Sequence, residues 1–242
     1  MIRVIEHITK VALAALTALL CFSCDFIKKV DGSGNVRTEN RTMNAEFTSV
    51  QANSGLDVII EYGTERSVTV EADDNLHQHI MTDVSGGTLE ISSDVNIRNA
   101  ASKKVIVRLP LITGIEASSG SMVKSSNPLK SESLKLDANS GSSMEVNVES
   151  KKVTCEASSG SHMKVSGTTE SLQTEASSGS TLDARDLVAG NVKSDASRGS
   201  TIFVNPSDLL KAEASSGGKI YYTTTPEKLQ KEVSTGGSVE QQ

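Results

Sequence analysis

The sequence predicts an all-β chain: a single-stranded, right-handed parallel β-helix with coils of about 19 residues. Three observations lead there. Ala-Ser-Ser-Gly-Ser stands complete at Ala117–Ser121, Ala157–Ser161 and Ala176–Ser180, with variants at Ala138–Ser142, Ala196–Ser200, Ala214–Gly218 and Val233–Gly237. The glycines of these corners, Gly120, Gly141, Gly160, Gly179, Gly199, Gly217 and Gly236, are spaced 21, 19, 19, 20, 18 and 19 residues apart. That period is too short for a strand–helix crossover plus a corner, and the Leu-x-x-Leu-x-Leu pattern of leucine-rich repeats is absent. Finally, apolar or small residues alternate with polar ones on both sides of each corner, as in strands with one buried face.

Numbering each repeat from its glycine makes the alternation explicit. Position −3 is alanine six times and then Val233, and position +3 is Val123, Met144, Met163, Leu182, Ile202, Ile220 and Val239. Alanine inside a tight corner fits a narrow coil. The glycine supplies the positive φ that the corner needs, and the serine hydroxyls can bond nearby backbone. A third, irregular side carries Asn127-Pro128, Ser166-Gly167, Asn205-Pro206 and Thr225-Pro226. One coil alone buries little, so stability must come from stacking.

Taken in order, residues 1–23 read as a secretion signal, with Arg3 and Lys10 ahead of the apolar run Val11–Phe22. The run is short for a membrane span. Ser23-Cys24 at its end resembles a bacterial lipobox and makes Cys24 the expected lipidation site. Removing residues 1–23 leaves 219 residues with a net charge of about −7, which argues against nucleic acid as a partner. Cys155 is then the one free thiol, at an inward position where it reads as a small core residue. Residues 24–41 read as a flexible tether. Residues 42–110 read as N-terminal coils with insertions: a first coil pivots on Gly55, strands fall at Ser67–Ala72, Thr88–Ser92 and Val105–Leu109, and a short helix spans Asp73–Ile80. Residues 111–240 are the regular array.

Several residues invite a chemical reading. Position −4 is acidic in every repeat of the array: Glu116, Asp137, Glu156, Glu175, Asp195, Glu213 and Glu232. Stacked at the ~4.8 Å strand spacing these form a solvated face, or a linear site for hard cations such as weakly bound calcium. No other metal or cofactor is expected. Phe203 and Tyr221 share position +4 in adjacent coils, and Tyr222 follows, so the three suggest an aromatic patch for a glycan, or a cap on the last coils. His77 and His79 read as two exposed histidines, and His162 alone adjoins the serine ladder with nothing to orient it. A serine nucleophile needs such a base, so no catalytic residue is assigned.

Two stretches resemble a known family. Ser54-Gly55-Leu56-Asp57-Val58 is similar to the Ser-Gly-Ile-Asn-Val motif of the auto-transporter adhesin head GIN-domain family of Bacteroidetes lipoproteins, with Leu56 for Ile and Asp57 for Asn. Leu109-Pro110-Leu111, followed by Ile115 and Ser119-Gly120-Ser121, resembles that family's proline-led approach to its serine-glycine repeats. The resemblance covers about residues 42–240 and implies a secreted, lipid-anchored β-helical domain with no catalytic residues. The expected function is a cell-envelope lipoprotein with an adhesin-like binding or structural domain, anchored by its lipid in the outer membrane and taking a glycan or envelope-protein ligand. The alternatives are a β-helix lyase or hydrolase acting on envelope polysaccharide, or a passive scaffold.

Overall fold

A computed structural model describes residues 28–242. The expected signal segment and Cys24 lie outside the described residues. Within them the chain is all β apart from a single 3-10 turn at Asp74–Leu76, where the sequence suggested a longer helix over 73–80. Parallel coils stack into a solenoid. The strands Ser143–Ala157, His162–Ala176, Thr181–Ala196 and Thr201–Ala214 each run from one serine-glycine corner to the next, paired in parallel with the coil on either side.

The third side is therefore strand rather than irregular loop. It bends where two successive residues face outward, as at Lys151-Lys152 and Glu170-Ser171, and the inward alternation resumes one residue out of phase. Inward positions stack as the period predicts. Ala157, Ala176 and Ala196 are buried in register, and so are Met163, Leu182 and Ile202. Cys155 is fully buried, and burial pushes its thiol up to about 12, leaving it no thiolate chemistry at neutral pH.

Each corner is a tight turn in which two residues, not one, are left-handed. The residue before the glycine has φ between 46° and 60° at Ser54, Ser119, Ser140, Ser159, Ser178, Arg198, Ser216 and Thr235, and the following glycines have φ from 67° to 75°. Glycine accepts this freely, whereas serine does so at a cost. Bonds between coils compensate. The carbonyl of Ala138 accepts the Ser158 N–H at 2.9 Å and the Ser161 Oγ–H at 2.7 Å from the next coil. The Gly160 N–H, at the tip of its corner, donates to the Ser178 carbonyl of the coil beyond at 3.1 Å. Equivalent bonds tie Ser121 to Ala52, Ser142 to Ala117, Ser180 to Ala157 and Ser200 to Ala176. The serine after each of these five glycines is buried for this reason.

The N-terminal region departs from chain order. The corner at Gly55 stacks directly under the corner at Gly120: Ser49–Ala52 pairs in parallel with Gly114–Ala117, and the strand Asp57–Tyr62 pairs with Met122–Ser125 from Asp57↔Met122 through Ile60↔Ser125. The intervening residues are looped out and return beneath, where Thr88–Ser93 pairs in parallel with Ser49–Ala52 and Lys103–Leu109 with Asp57–Tyr62. Antiparallel strands close this end. Ser67–Asp73 pairs with Lys103–Leu109, and Ile80–Ser85 forms a hairpin with Thr88–Ser93 through Gly86-Gly87.

Residues 28–41 are not a tether. Val36–Arg41 is a strand antiparallel to Ser67–Asp73, and Lys29–Asp31 pairs with Asn96–Arg98. Buried Asp73 gathers these segments, accepting the N–H groups of Gly34 at 2.8 Å, Ser102 at 2.9 Å and Ala101 at 3.2 Å. Burial pushes its carboxyl up, but these three N–H bonds outweigh it and hold the pKa below the ordinary value. Gly32 must be glycine, since a Cβ there would stand 2.1 Å from Asp73 Oδ2.

The corners separate two serine roles by mutation. Ser161→Ala removes a buried hydroxyl that donates to Ala138 and accepts from the Ser158 N–H at 3.1 Å, and it should cost about 1–3 kcal/mol in a urea melt. Ser159→Asn, two residues away, places a residue more tolerant of the left-handed region at an exposed tip and should leave stability equal or raise it by a few tenths of a kcal/mol, about 0.5. Equal effects of the two substitutions would contradict this division.

Candidate functional site: three longitudinal surfaces

Strand register turns each outward repeat position into a row along the solenoid. The acidic row forms as the spacing predicts, with Glu116↔Asp137↔Glu156↔Glu175↔Asp195↔Glu213↔Glu232 paired in order. It continues below through Gln51 to Glu90. Lysines beside the row offset part of the repulsion: Lys135 Nζ lies 3.1 Å from Glu156, and Lys211 Nζ lies 2.9 Å from Glu213. The consequences differ along the row. Burial, with Glu156 adding to it, raises the Asp137 carboxyl, whereas the Lys211 hydrogen bond lowers Glu213.

The other straight face is unlike it. Position +4 runs Lys124↔Glu145↔Lys164↔Asp183↔Phe203↔Tyr221↔Glu240. Charges alternate and pair, with Lys124–Glu145 at 2.8 Å and Lys164 reaching Asp186 at 3.2 Å. Phe203 and Tyr221 then stack with ring centroids 5.2 Å apart and planes at 20°. Arg185 completes the stack. Its guanidinium carbon sits 4.4 Å from the Phe203 centroid, and Asp183 holds it through bonds of 2.6 and 3.0 Å. Arg185 occupies an irregularity: this coil is 20 residues long and the next 18, and the pairing slips between Ala184 and Val188.

Tyr222 does not belong to the patch. At +5 it points inward and is buried, with the Lys231 ammonium 4.8 Å from its ring centroid and 3.2 Å from its hydroxyl. Lys231 also bonds the Val239 carbonyl at 3.0 Å, so the pair closes the last coil. The histidines differ from expectation too. His77 and His79 are largely buried and separately engaged: His77 Nε2 lies 3.1 Å from the Arg37 carbonyl, and His79 Nδ1 lies 2.9 Å from Asp94. His162 is exposed, on the face beside the corner. Among the described residues no three His, Cys, Asp or Glu side chains converge as a metal site.

A third surface was not legible in the motifs. At the bend of the third side an open groove of about 1020 Å³ crosses successive coils, from Tyr62 and Leu111 at one end to Asp208 at the other. Lys130–Glu149 and Glu132–Lys151 ion pairs of 3.0 and 2.7 Å stand along it. Its floor is strand backbone between these two outward columns, with the Ser150 side chain turned inward.

The acidic row yields a pH test. Because the folded state holds the Asp137 proton to higher pH than the unfolded chain does, ionisation at neutral pH opposes folding. Asp137→Asn should stabilise at pH 7 by an amount on the order of 0–1 kcal/mol, and the gain should fade below about pH 4. Urea melts at the two pH values check this, and a loss of stability at pH 7 would contradict it.

Comparison with known proteins gives this architecture a context. A putative adhesin from Bacteroides fragilis superposes with a TM-score of 0.81 at 18% identity, covering 88% of this chain and 100% of that one. A putative lipid binding protein from Parabacteroides distasonis gives 0.73 at 18%, covering 89% and 100%, and a putative adhesin from Parabacteroides merdae gives 0.69 at 19%, covering 89% and 99%. At these identities the likeness establishes the shared β-solenoid fold. No curated protein matches the chain. Residues 46–226 match the family described as "Putative auto-transporter adhesin, head GIN domain", and the Ser54–Val58 motif, the proline-led approach and the stacked corners from Gly55 to Gly217 all lie within that span. The chain therefore belongs to the auto-transporter adhesin head GIN-domain family.

Proposed function

We propose that this protein is an envelope-anchored, adhesin-like binding module: a lipid on Cys24 holds it to the outer membrane, and the solenoid presents ligand-contacting rows. The observation that carries the reading is the Arg185–Phe203–Tyr221 stack, a pre-ordered aromatic cluster with a fixed cation on an otherwise polar surface. A cluster already ordered in this way contacts a ligand with little further ordering cost. Family membership and neighbours named as adhesins support the same reading. The buried serines of the ladder are committed to inter-coil bonds, which favours binding over nucleophilic catalysis. The acidic row is expected to take divalent cations only diffusely: millimolar calcium should raise the melting temperature slightly, and a tight single-site isotherm would contradict that. Among the described residues no helix is long and apolar enough to cross a membrane.

Two measurements test the proposal. Cys24→Ala should move the protein from the membrane to the soluble fraction, and unchanged fractionation with unchanged mass would rule lipidation out. Glycan arrays and envelope pull-downs with residues 24–242 should give a ligand whose binding falls at least about tenfold in Phe203→Ala/Tyr221→Ala, the loss expected when an aromatic contact is removed. Wild-type binding by that variant would move the contact away from the stack. Release of new reducing ends from envelope polysaccharide would favour the enzyme reading instead.

A further inference from the structure

The row that carries the aromatic cluster is complete at one end and incomplete at the other. Strand register orders it as Asp183↔Phe203↔Tyr221↔Glu240, one residue per coil. Both faces of the Phe203 ring are taken. Tyr221, from the following coil, stacks on one with centroids 5.2 Å apart, and Arg185, from the preceding coil, places its guanidinium carbon 4.4 Å from the Phe203 centroid on the other. Asp183 fixes that guanidinium in two bonds, accepting from Nη2 at 2.6 Å and from Nε at 3.0 Å. At this end, then, a cation sits over a ring face and is held by the carboxylate that precedes the ring in the row.

The other end has the ring and the carboxylate without the cation. Phe203 covers one face of Tyr221, and among the described residues no other ring and no cation lies against it. Glu240 is placed next to Tyr221 by register, as Asp183 is next to Phe203. Its side chain is exposed and forms no ion pair or hydrogen bond among the described residues. Lys219, two residues from Tyr221 on the same face, is exposed and does not pair with it. The face of an aromatic ring is negative, so it repels the Glu240 carboxylate, whereas a cation is attracted by both groups.

That chemistry narrows the occupant. An anion is repelled by Glu240. A lysine ammonium matches the charge but lacks the planar fork with which a guanidinium stacks on a ring and meets a carboxylate in two bonds. A sugar is the competing occupant, because it too stacks on a ring and its hydroxyls donate to a carboxylate. The row itself favours the guanidinium, since the equivalent pair of Asp183 and Phe203 holds one. We propose that Tyr221 and Glu240 form a docking point for an arginine side chain of a partner protein, extending the row to cation, ring, ring, cation. The inference rests on the binding-module reading and names the ligand chemistry of that same cluster.

The test titrates residues 24–242 with acetyl-arginine-amide, with its neutral isostere acetyl-citrulline-amide, and with cellohexaose, following amide shifts. A single cation–ring contact and a surface ion pair are each weak, so the arginine probe should saturate at about 10–100 mM, with shifts centred on residues 219–222 and 238–241. The citrulline probe and cellohexaose should give no saturable shift there. Glu240→Gln should weaken the arginine probe about threefold. Tyr221→Leu should abolish its shifts, whereas Tyr221→Phe, which keeps the ring, should stay within about twofold. Glu175→Gln, in the acidic row, should change nothing, which separates docking from general attraction of a cation to an acidic protein. No saturable shift with the arginine probe, an equal response to citrulline, unchanged affinity in Glu240→Gln, or shifts centred on the acidic row would overturn the assignment. Saturable cellohexaose binding at Tyr221 would give the face to a sugar instead. If the arginine site fails but a ligand from the array or the pull-downs still loses binding in Phe203→Ala/Tyr221→Ala, the binding-module reading stands with another ligand class.

Discussion

The structure depends on one repeated acceptor, the carbonyl of the residue three before each corner glycine. In Ala138 that oxygen receives both the backbone N–H and the serine hydroxyl of the following coil, and the same arrangement recurs from Ala52 to Ala176. A single coil cannot form these bonds, because donor and acceptor always lie in different coils. The left-handed backbone at two successive residues is therefore tolerable only in the stack. Alanine is suited to the acceptor position because a larger side chain would fill the tight corner into which the neighbouring coils' alanines pack. Corner geometry, core packing and coil stacking are thus one cooperative requirement, as expected of a quasi-one-dimensional fold.

Such a stack needs an end, and the two ends are built differently. At the start of the described residues antiparallel strands turn the parallel ladder away from open pairing, and Asp73 fixes three segments together. At the other end Lys231 lies across Tyr222 and the Val239 carbonyl, placing a solvated cation over the last apolar layer. The first coil by sequence, around Gly55, is not the first coil in space. Its neighbours are the coil at residues 88–109 and the one at residues 114–125, so the chain travels outward and returns before the array begins.

The β-helix and its acidic row were legible because they depend on local repetition. A fixed period assigns every residue a column, and Asp137, Glu156 and Glu175 fall in line without any knowledge of tertiary contacts. The same rule placed Tyr222 inward at +5, beside the inward Ile220, so grouping it with outward Tyr221 went against the alternation. Arg185 was hidden because it sits in a register slip, where counting from the glycine stops being reliable. The cap was hidden because Val36–Arg41 is short, polar and exposed, and only its partner at Ser67–Asp73 makes it a strand.

The solenoid presents three unlike rows at a common ~4.8 Å spacing: uniform carboxylates, alternating charges ending in an aromatic stack, and a mixed groove. All three rest on the coils being held in register at their corners. Amide hydrogen exchange tests that most directly. In an ordinary solvent-exposed turn the N–H of Gly141, Gly160 or Gly179 would exchange within the fast, locally open set. Here each donates to the next coil, to Ser159, Ser178 and Arg198 respectively, at 3.1 Å. The account predicts that these glycine amides are protected nearly as strongly as the buried strand amides of Met163 and Leu182, and that they open with them. Fast exchange at the corner glycines beside protected strands would contradict it, and the stacking would then have to rest on side-chain packing alone.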